Sequence, residues 1–229
     1  MSHWQPSFDA ARVQAVLFDL DGTLADTDNI LIEKVAQRLG PLRYAFPQRD
    51  MRPFLRWGLM KSEGTLNYLL TVPDRLGVDA TLAAVSERMR GGRPRLPHPL
   101  IPVVGVPEMV NELAQRYPLA VVSTRDALTT MHFLAEYGIE DCFQVVVTAL
   151  TAKRLKPHPA PVLYAAAVLG IAPGHCLMVG DTTMDVRAGQ RAGAQTVGVL
   201  CGFGERLELE REGANLILET TADLWHYLD

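Results

Sequence analysis

Six short apolar runs recur along the 229-residue chain, and a fold must take all of them out of water. They are Ala15-Val16-Leu17-Phe18, Leu119-Ala120-Val121-Val122, Phe143 to Val147, Cys176 to Val179 and Thr196 to Leu200, with Leu216-Ile217-Leu218 as a sixth candidate. Runs this short, rich in Val and flanked by Gly, Asp or Thr, predict strands buried on both faces. The segments between them carry helix punctuation. Pro107 suits a first helical turn, with Met109, Val110 and Leu113 on one face. Asp126 to Tyr137 stops at Gly138, and Pro161 to Leu169 stops at Gly170, where a left-handed backbone is wanted. Strand–helix alternation of this kind predicts an α/β fold with a doubly wound, mainly parallel sheet.

Residues 28–100 break the alternation. Leu31, Val35 and Leu39 recur every fourth residue, which predicts a helix over Ile30 to Leu39. Leu66 to Leu70 and Thr81 to Met89 are read as helical too, and Gly91 through Pro99 is a breaker-rich exit. This stretch is therefore expected to be a helical insertion. It is also electrically distinct, with 12 basic and 7 acidic residues (net +5), while the rest carries 10 and 19 (net −9).

The whole-chain charge of −4 and a pI near 5.9 disfavour a nucleic-acid partner. No apolar stretch approaches the roughly 20 residues of a membrane span, so no membrane partner is expected. Met1-Ser2-His3-Trp4-Gln5-Pro6 lacks the basic and apolar regions of a signal peptide. Cys142, Cys176 and Cys201 are odd in number, far apart and free of any CxxC, so no disulfide framework or zinc site is suggested. A reduced, cytoplasmic protein is expected.

Ligands of open parallel sheets bind outside the carboxyl ends of the strands. The residues immediately after each run are thus the place to search for a site. The first run leads into Asp19-Leu20-Asp21-Gly22-Thr23, the second into Ser123-Thr124, and the fourth into Gly180-Asp181, with Asp185 four residues on. Lys156 lies in Arg154-Leu155-Lys156-Pro157, just ahead of a helix. All four groups should converge at one edge of the sheet. Carboxylates crowded together repel unless a cation joins them, and hard oxygen donors suit Mg²⁺ shared with a phosphate. Ser123, Lys156 and helix-start amides would donate to that phosphate, and an aspartate beside it can act as a nucleophile.

Asp19-Leu20-Asp21-Gly22-Thr23-Leu24 resembles the first motif of the haloacid-dehalogenase-like hydrolases. Ser123 is similar to their second motif and Lys156-Pro157 to the third. Gly180-Asp181-Thr182-Thr183-Met184-Asp185, with Ala188-Gly189 and Ala192-Gly193 after it, is similar to the fourth. Residues 150–229 look closest to the phosphoglycolate-phosphatase-like branch. The resemblance implies a Rossmann-like core domain over 1–27 and 101–229 with a small helical cap over 28–100. It implies Asp19 as the nucleophile and a Mg²⁺ ligand, and Asp21 as acid and then base, its carbonyl on the metal. Ser123 and the Thr124 amide would hold phosphate oxygens, Lys156 would offset charge on nucleophile and phosphoryl group, and Asp181 and Asp185 would hold Mg²⁺. The implied activity is hydrolysis of a small phosphorylated metabolite, a phosphoglycolate-like monoester, through an aspartyl-phosphate.

Taken singly, each residue has a plainer explanation. Asp19 and Asp21 could end a strand in a turn, Ser123 could cap a helix, Lys156 could be a solvated charge, and Asp181 with Asp185 could complement a helix start. Joint placement after successive strands sets these aside. Gly202-Phe203-Gly204 lacks the third glycine of a dinucleotide fingerprint and reads as a turn. Arg49, Arg52, Arg56 and Lys61 read as a solvated helix face. A phosphomutase of the β-phosphoglucomutase type and a non-catalytic module on the same fold stay open as alternatives, as do monomer and homodimer.

Overall fold

The computed structural model describes residues 7–27, 100–152 and 154–228. The helical cap expected over 28–100 lies outside the described residues, apart from Leu100.

All six apolar runs form strands within one residue of their expected bounds: β1 (Ala15–Phe18), β2 (Leu119–Val122), β3 (Phe143–Val147), β4 (Cys176–Gly180), β5 (Gln195–Val199) and β6 (Leu216–Leu218). They make one sheet in the order β3-β2-β1-β4-β5-β6, every pairing parallel. Between them run α1 (Val106–Ala114), α2 (Ala127–Glu136), α3 (Ala160–Leu169), α4 (Thr183–Ala192) and α5 (Arg206–Arg211).

The two faces of β1 divide the core. Val16 and Phe18 join Met109, Val110 and Leu113 of α1 and Phe133 and Leu134 of α2 in one cluster. Ala15 and Leu17 join Val162, Ala165 and Ala166 of α3 and Ala188 of α4 in the other. Successive strand side chains point to opposite faces, so a central strand covered on both sides has no polar position to spare. Edge strand β3 differs: Gln144 is exposed at its second position, and its side-chain Oε1 accepts from Leu119 N–H at 2.7 Å, where the β2–β3 register slips. A polar residue inside an apolar run thus supplies the acceptor that the interrupted ladder lacks.

Strand order reverses at β1, whose neighbours are β2 on one side and β4 on the other. Connections leave in opposite directions from such a switch point and open a crevice above the strand ends. The segment around the insertion closes tightly beside it. Asp26 N–H donates to Ile101 O at 2.7 Å, and Val103 N–H to Leu24 O at 3.0 Å. Residues 24–26 and 101–103 therefore lie together, next to the loop after β1. Among the described residues, no helix is long and apolar enough to cross a membrane.

Phe133 lies 1% exposed on the inward face of α2, tilted against Tyr137 with ring centroids 5.2 Å apart. Phe133→Ala should destabilise the fold by about 3–5 kcal/mol, measured by urea denaturation.

Candidate active site

The site forms where β1 and β4 end side by side. Asp19 N–H donates to Val179 O at 2.9 Å, continuing the β1–β4 ladder one residue past the strand. Its carboxylate is thereby fixed at the crevice. Asp181 comes directly after β4, and Asp185 sits on the first turn of α4. Asp185 Oδ2 accepts from Thr182 N–H at 3.0 Å and from Thr182 Oγ1 at 2.6 Å, tying the carboxylate to the start of its own helix. Asp19, Asp181 and Asp185 are all buried, each offering one oxygen within 4.8 Å of the others.

Lys156 arrives from the far side. The segment after β3 runs back toward the sheet centre, because α3, which it precedes, packs across β3, β2 and β1. Lys156 is 6% exposed, and its Nζ donates to Asp19 Oδ1 at 2.7 Å and Asp185 Oδ1 at 2.6 Å. Burial would lower the pKa of this ammonium, but the charges of Asp185 and Asp19 overcome it and hold the pKa above its ordinary value. Burial pushes the Asp19 carboxyl up to about 7, with Asp185 and Asp21 adding to the rise and Lys156 opposing it.

Asp181 is held by a loop that the sequence presents only as a turn. Phe203 N–H donates to Asp181 Oδ2 at 2.9 Å. A Cβ at Gly202 would fall 2.1 Å from the same oxygen, and one at Gly204 would fall 1.8 Å from the Asp181 carbonyl oxygen. Gly22, at φ 68°, closes the opposite side, where a Cβ would come within 2.3 Å of Oδ2. The first loop is braced in turn from later in the chain: Thr221 Oγ1 donates to Thr23 O at 2.7 Å, and Cys201 Sγ to Gly22 O at 3.3 Å.

Ser123 and Thr124 lie just past β2. Ser123 is buried, and its Oγ accepts from Arg125 N–H at 3.0 Å; Thr124 is exposed beside it. The helix cap at this place is Asp126, whose Oδ1 accepts from Thr129 N–H at 2.9 Å, so Ser123 is not spent on capping. Asp21 is half-buried and gripped by both arms of the Arg125 guanidinium, through Nε to Oδ2 at 3.0 Å and through Nη2 to Oδ1. The structure thus brings Asp19, Asp181 and Asp185 together, with Lys156 bonded to Asp19 and Asp185 and with Asp21 and Ser123 on the adjoining loops. Arg125 and the Gly202–Gly204 loop belong to the same place, and neither stands out in the sequence.

The donor set fits a hard divalent cation. Three buried carboxylates converge here, and all of their donors are oxygen, the set Mg²⁺ prefers. The raised Asp19 carboxyl points the same way, since Lys156 alone does not hold it ionised at the ordinary carboxylate value.

Comparison with known proteins agrees with this geometry. A family model described as haloacid dehalogenase-like hydrolase matches residues 16–199. A pyrophosphatase, PpaX, of Bacillus cereus (strain AH820) is 30% identical over 222 residues, spanning 93% of this chain and 95% of the relative. Among solved structures, a hydrolase from Pseudomonas syringae is 26% identical with a TM-score of 0.66, covering 94% of this chain and 98% of that one. A hydrolase from Deinococcus radiodurans R1, crystallised with bound phosphate and sodium, is 25% identical with a TM-score of 0.65, covering 96% of each chain.

Mg²⁺ should raise the melting temperature, and more at pH 8 than at pH 5.5. Below about pH 7 the Asp19 carboxyl is protonated and must release that proton before it can bind a cation, so affinity rises with pH. Thermal melts with and without Mg²⁺ at the two pH values measure this directly.

Proposed function

The chain belongs to the haloacid dehalogenase-like hydrolases, and from that premise we propose that it is a Mg²⁺-dependent phosphatase of a small phosphorylated metabolite, working through a phosphoaspartyl intermediate on Asp19. The observation that carries this reading is the buried Lys156 joined to both Asp19 and Asp185 beside Asp181. Phosphoryl transfer depends on positioning and charge neutralisation more than on covalent chemistry, and such a constellation supplies both.

In this proposal an Asp19 oxygen attacks the phosphorus, and the bond to the leaving oxygen breaks as that oxygen takes a proton from Asp21. A water then loses a proton to Asp21 and attacks the same phosphorus, and the bond to Asp19 breaks, freeing phosphate. Ser123 Oγ and the Thr124 N–H donate to the phosphoryl oxygens. Lys156 keeps the nucleophile oriented through Oδ1 and offsets charge that builds on the phosphoryl group. Asp19, the Asp21 carbonyl, Asp181 and Asp185 would hold Mg²⁺, which when bound offsets the negative charge of carboxylates and phosphate. Both Asp185 oxygens already accept hydrogen bonds, which favours contact through a water. Residues 28–100, with their net charge of +5, would cover the crevice and draw in anions. A cytoplasmic location is part of the same reading.

Two substrate classes compete. The sequence branch favours a phosphoglycolate-like monoester, whereas the name of the Bacillus cereus relative favours pyrophosphate. They differ in the leaving group: an alkoxide needs a proton from Asp21 far more than a phosphate does.

Phosphate release should be measured with Mg²⁺ across phosphoglycolate, pyrophosphate, sugar phosphates and nucleotides. Asp19→Asn should lower kcat by roughly 10³-fold or more with an unchanged melting curve; retained turnover overturns the mechanism. Isomerised product without free phosphate would instead indicate a mutase. Asp21→Asn should lower kcat by roughly 10²–10⁴-fold for alkyl phosphates and by much less for pyrophosphate, read as the ratio of the two losses.

A further inference from the structure

Resting on the phosphatase reading, we infer that Arg125 is a specificity-determining residue, and that the substrate carries a second anionic group, a phosphate or a carboxylate, on the fragment that leaves. Asp21 marks where the leaving oxygen must lie, since an acid has to reach the oxygen it protonates. The Arg125 guanidinium is in two-point contact with that carboxylate. Whatever is attached to the leaving oxygen within a few bonds therefore meets the guanidinium.

The residue is built to stay there. Arg125 N–H donates to Ser123 Oγ at 3.0 Å, its carbonyl accepts from Ala149 N–H at 3.1 Å, and the next residue is the cap of α2. Its backbone is thus fixed relative to Ser123 and to the loop after β3. The side chain is intermediate in exposure at 29%, open enough to meet a ligand. Its two bonds to Asp21 use two of the five N–H donors of a guanidinium. Among the described residues the other donors have no protein acceptor. Lys156, by contrast, divides its contacts between Asp19 and Asp185. Among the described residues, Arg125 is therefore the cation at this place with a planar fork to offer a phosphate or carboxylate.

A residue that merely steadied Asp21 would lower kcat for an alkoxide leaving group and spare pyrophosphate and p-nitrophenyl phosphate, whose leaving groups need little protonation. Recognition of a second anion would fall on doubly anionic substrates alone. The test compares wild type, Arg125→Gln and Arg125→Lys on pyrophosphate and phosphoglycolate against p-nitrophenyl phosphate, whose leaving fragment has no anionic group besides the breaking oxygen. The ratio of kcat/KM for each doubly anionic substrate to that for p-nitrophenyl phosphate should fall roughly 10-fold or more in Arg125→Gln, chiefly through KM, and by less in Arg125→Lys. Pyrophosphate and phosphoglycolate are read as separate arms: a fall confined to pyrophosphate names a phosphate, and one confined to phosphoglycolate names a carboxylate when it lies in KM. An unchanged ratio overturns the inference, even if all activities drop, and so does a loss confined to kcat for phosphoglycolate. Should Arg125→Gln melt early, Arg125→Lys carries the comparison alone.

Calorimetric binding of methylenediphosphonate against methylphosphonate, both with Mg²⁺, separates this inference from the phosphatase reading. If no substrate is turned over, yet the diphosphonate binds tighter to wild type and that preference is lost in Arg125→Gln, the inference stands without the activity. No such preference in wild type overturns it.

Discussion

A buried ammonium bridging two carboxylates is the interaction on which the rest of this site depends. Lys156 Nζ lies 2.7 Å from Asp19 and 2.6 Å from Asp185, at 6% exposure. Burying such charges is tolerable only when each is paired, because the desolvation cost is several kcal/mol per ion. The pairing also connects distant parts of the chain: the end of β1, the start of α4 and the segment after β3. One cation therefore fixes the relative position of three loops, and the sheet order makes that meeting possible by ending β1 and β4 side by side.

The same ammonium is bonded to two of the three carboxylates that meet here. Asp181 adds a third buried carboxylate to the pair that Lys156 already serves. Among the described residues, the Phe203 amide donates to one of its oxygens and three glycines approach it closely. A side chain at any of those glycines would occupy the place of the carboxylate or its carbonyl. The protein thus orients Asp181 by shape and by a backbone amide. Preorganisation of this type costs no rearrangement when charge develops nearby.

Much of this was legible in the amino-acid order. The apolar runs named all six strands because a buried parallel strand must be apolar on both faces, and the residues after them named the crevice. What the sequence concealed has physical reasons. Gln144 interrupts a run, yet it belongs to the strand because its side chain fills a gap in the ladder. Gly202-Phe203-Gly204 reads as a turn since its purpose depends on an aspartate about twenty positions earlier, and no local pattern records that. Arg125 comes after two residues that draw attention to themselves, and its partner lies at the end of a different strand. Contacts that cross between strand ends leave no periodic trace, whereas burial does.

The bracing of the first loop by Thr221 and Cys201 has a consequence for the order in which the molecule can come into being. β1 is made before the other five strands, but its neighbours in the sheet are β2 and β4, and the bracing of its loop is completed by residues beyond 200. During synthesis the central strand must wait, unpaired, for partners made long after it. Long-range parallel pairing of this kind closes late. The nucleophile candidate emerges well before the residues beyond 200 that complete its surroundings, so a nascent chain holds no assembled site until those residues too are free to fold.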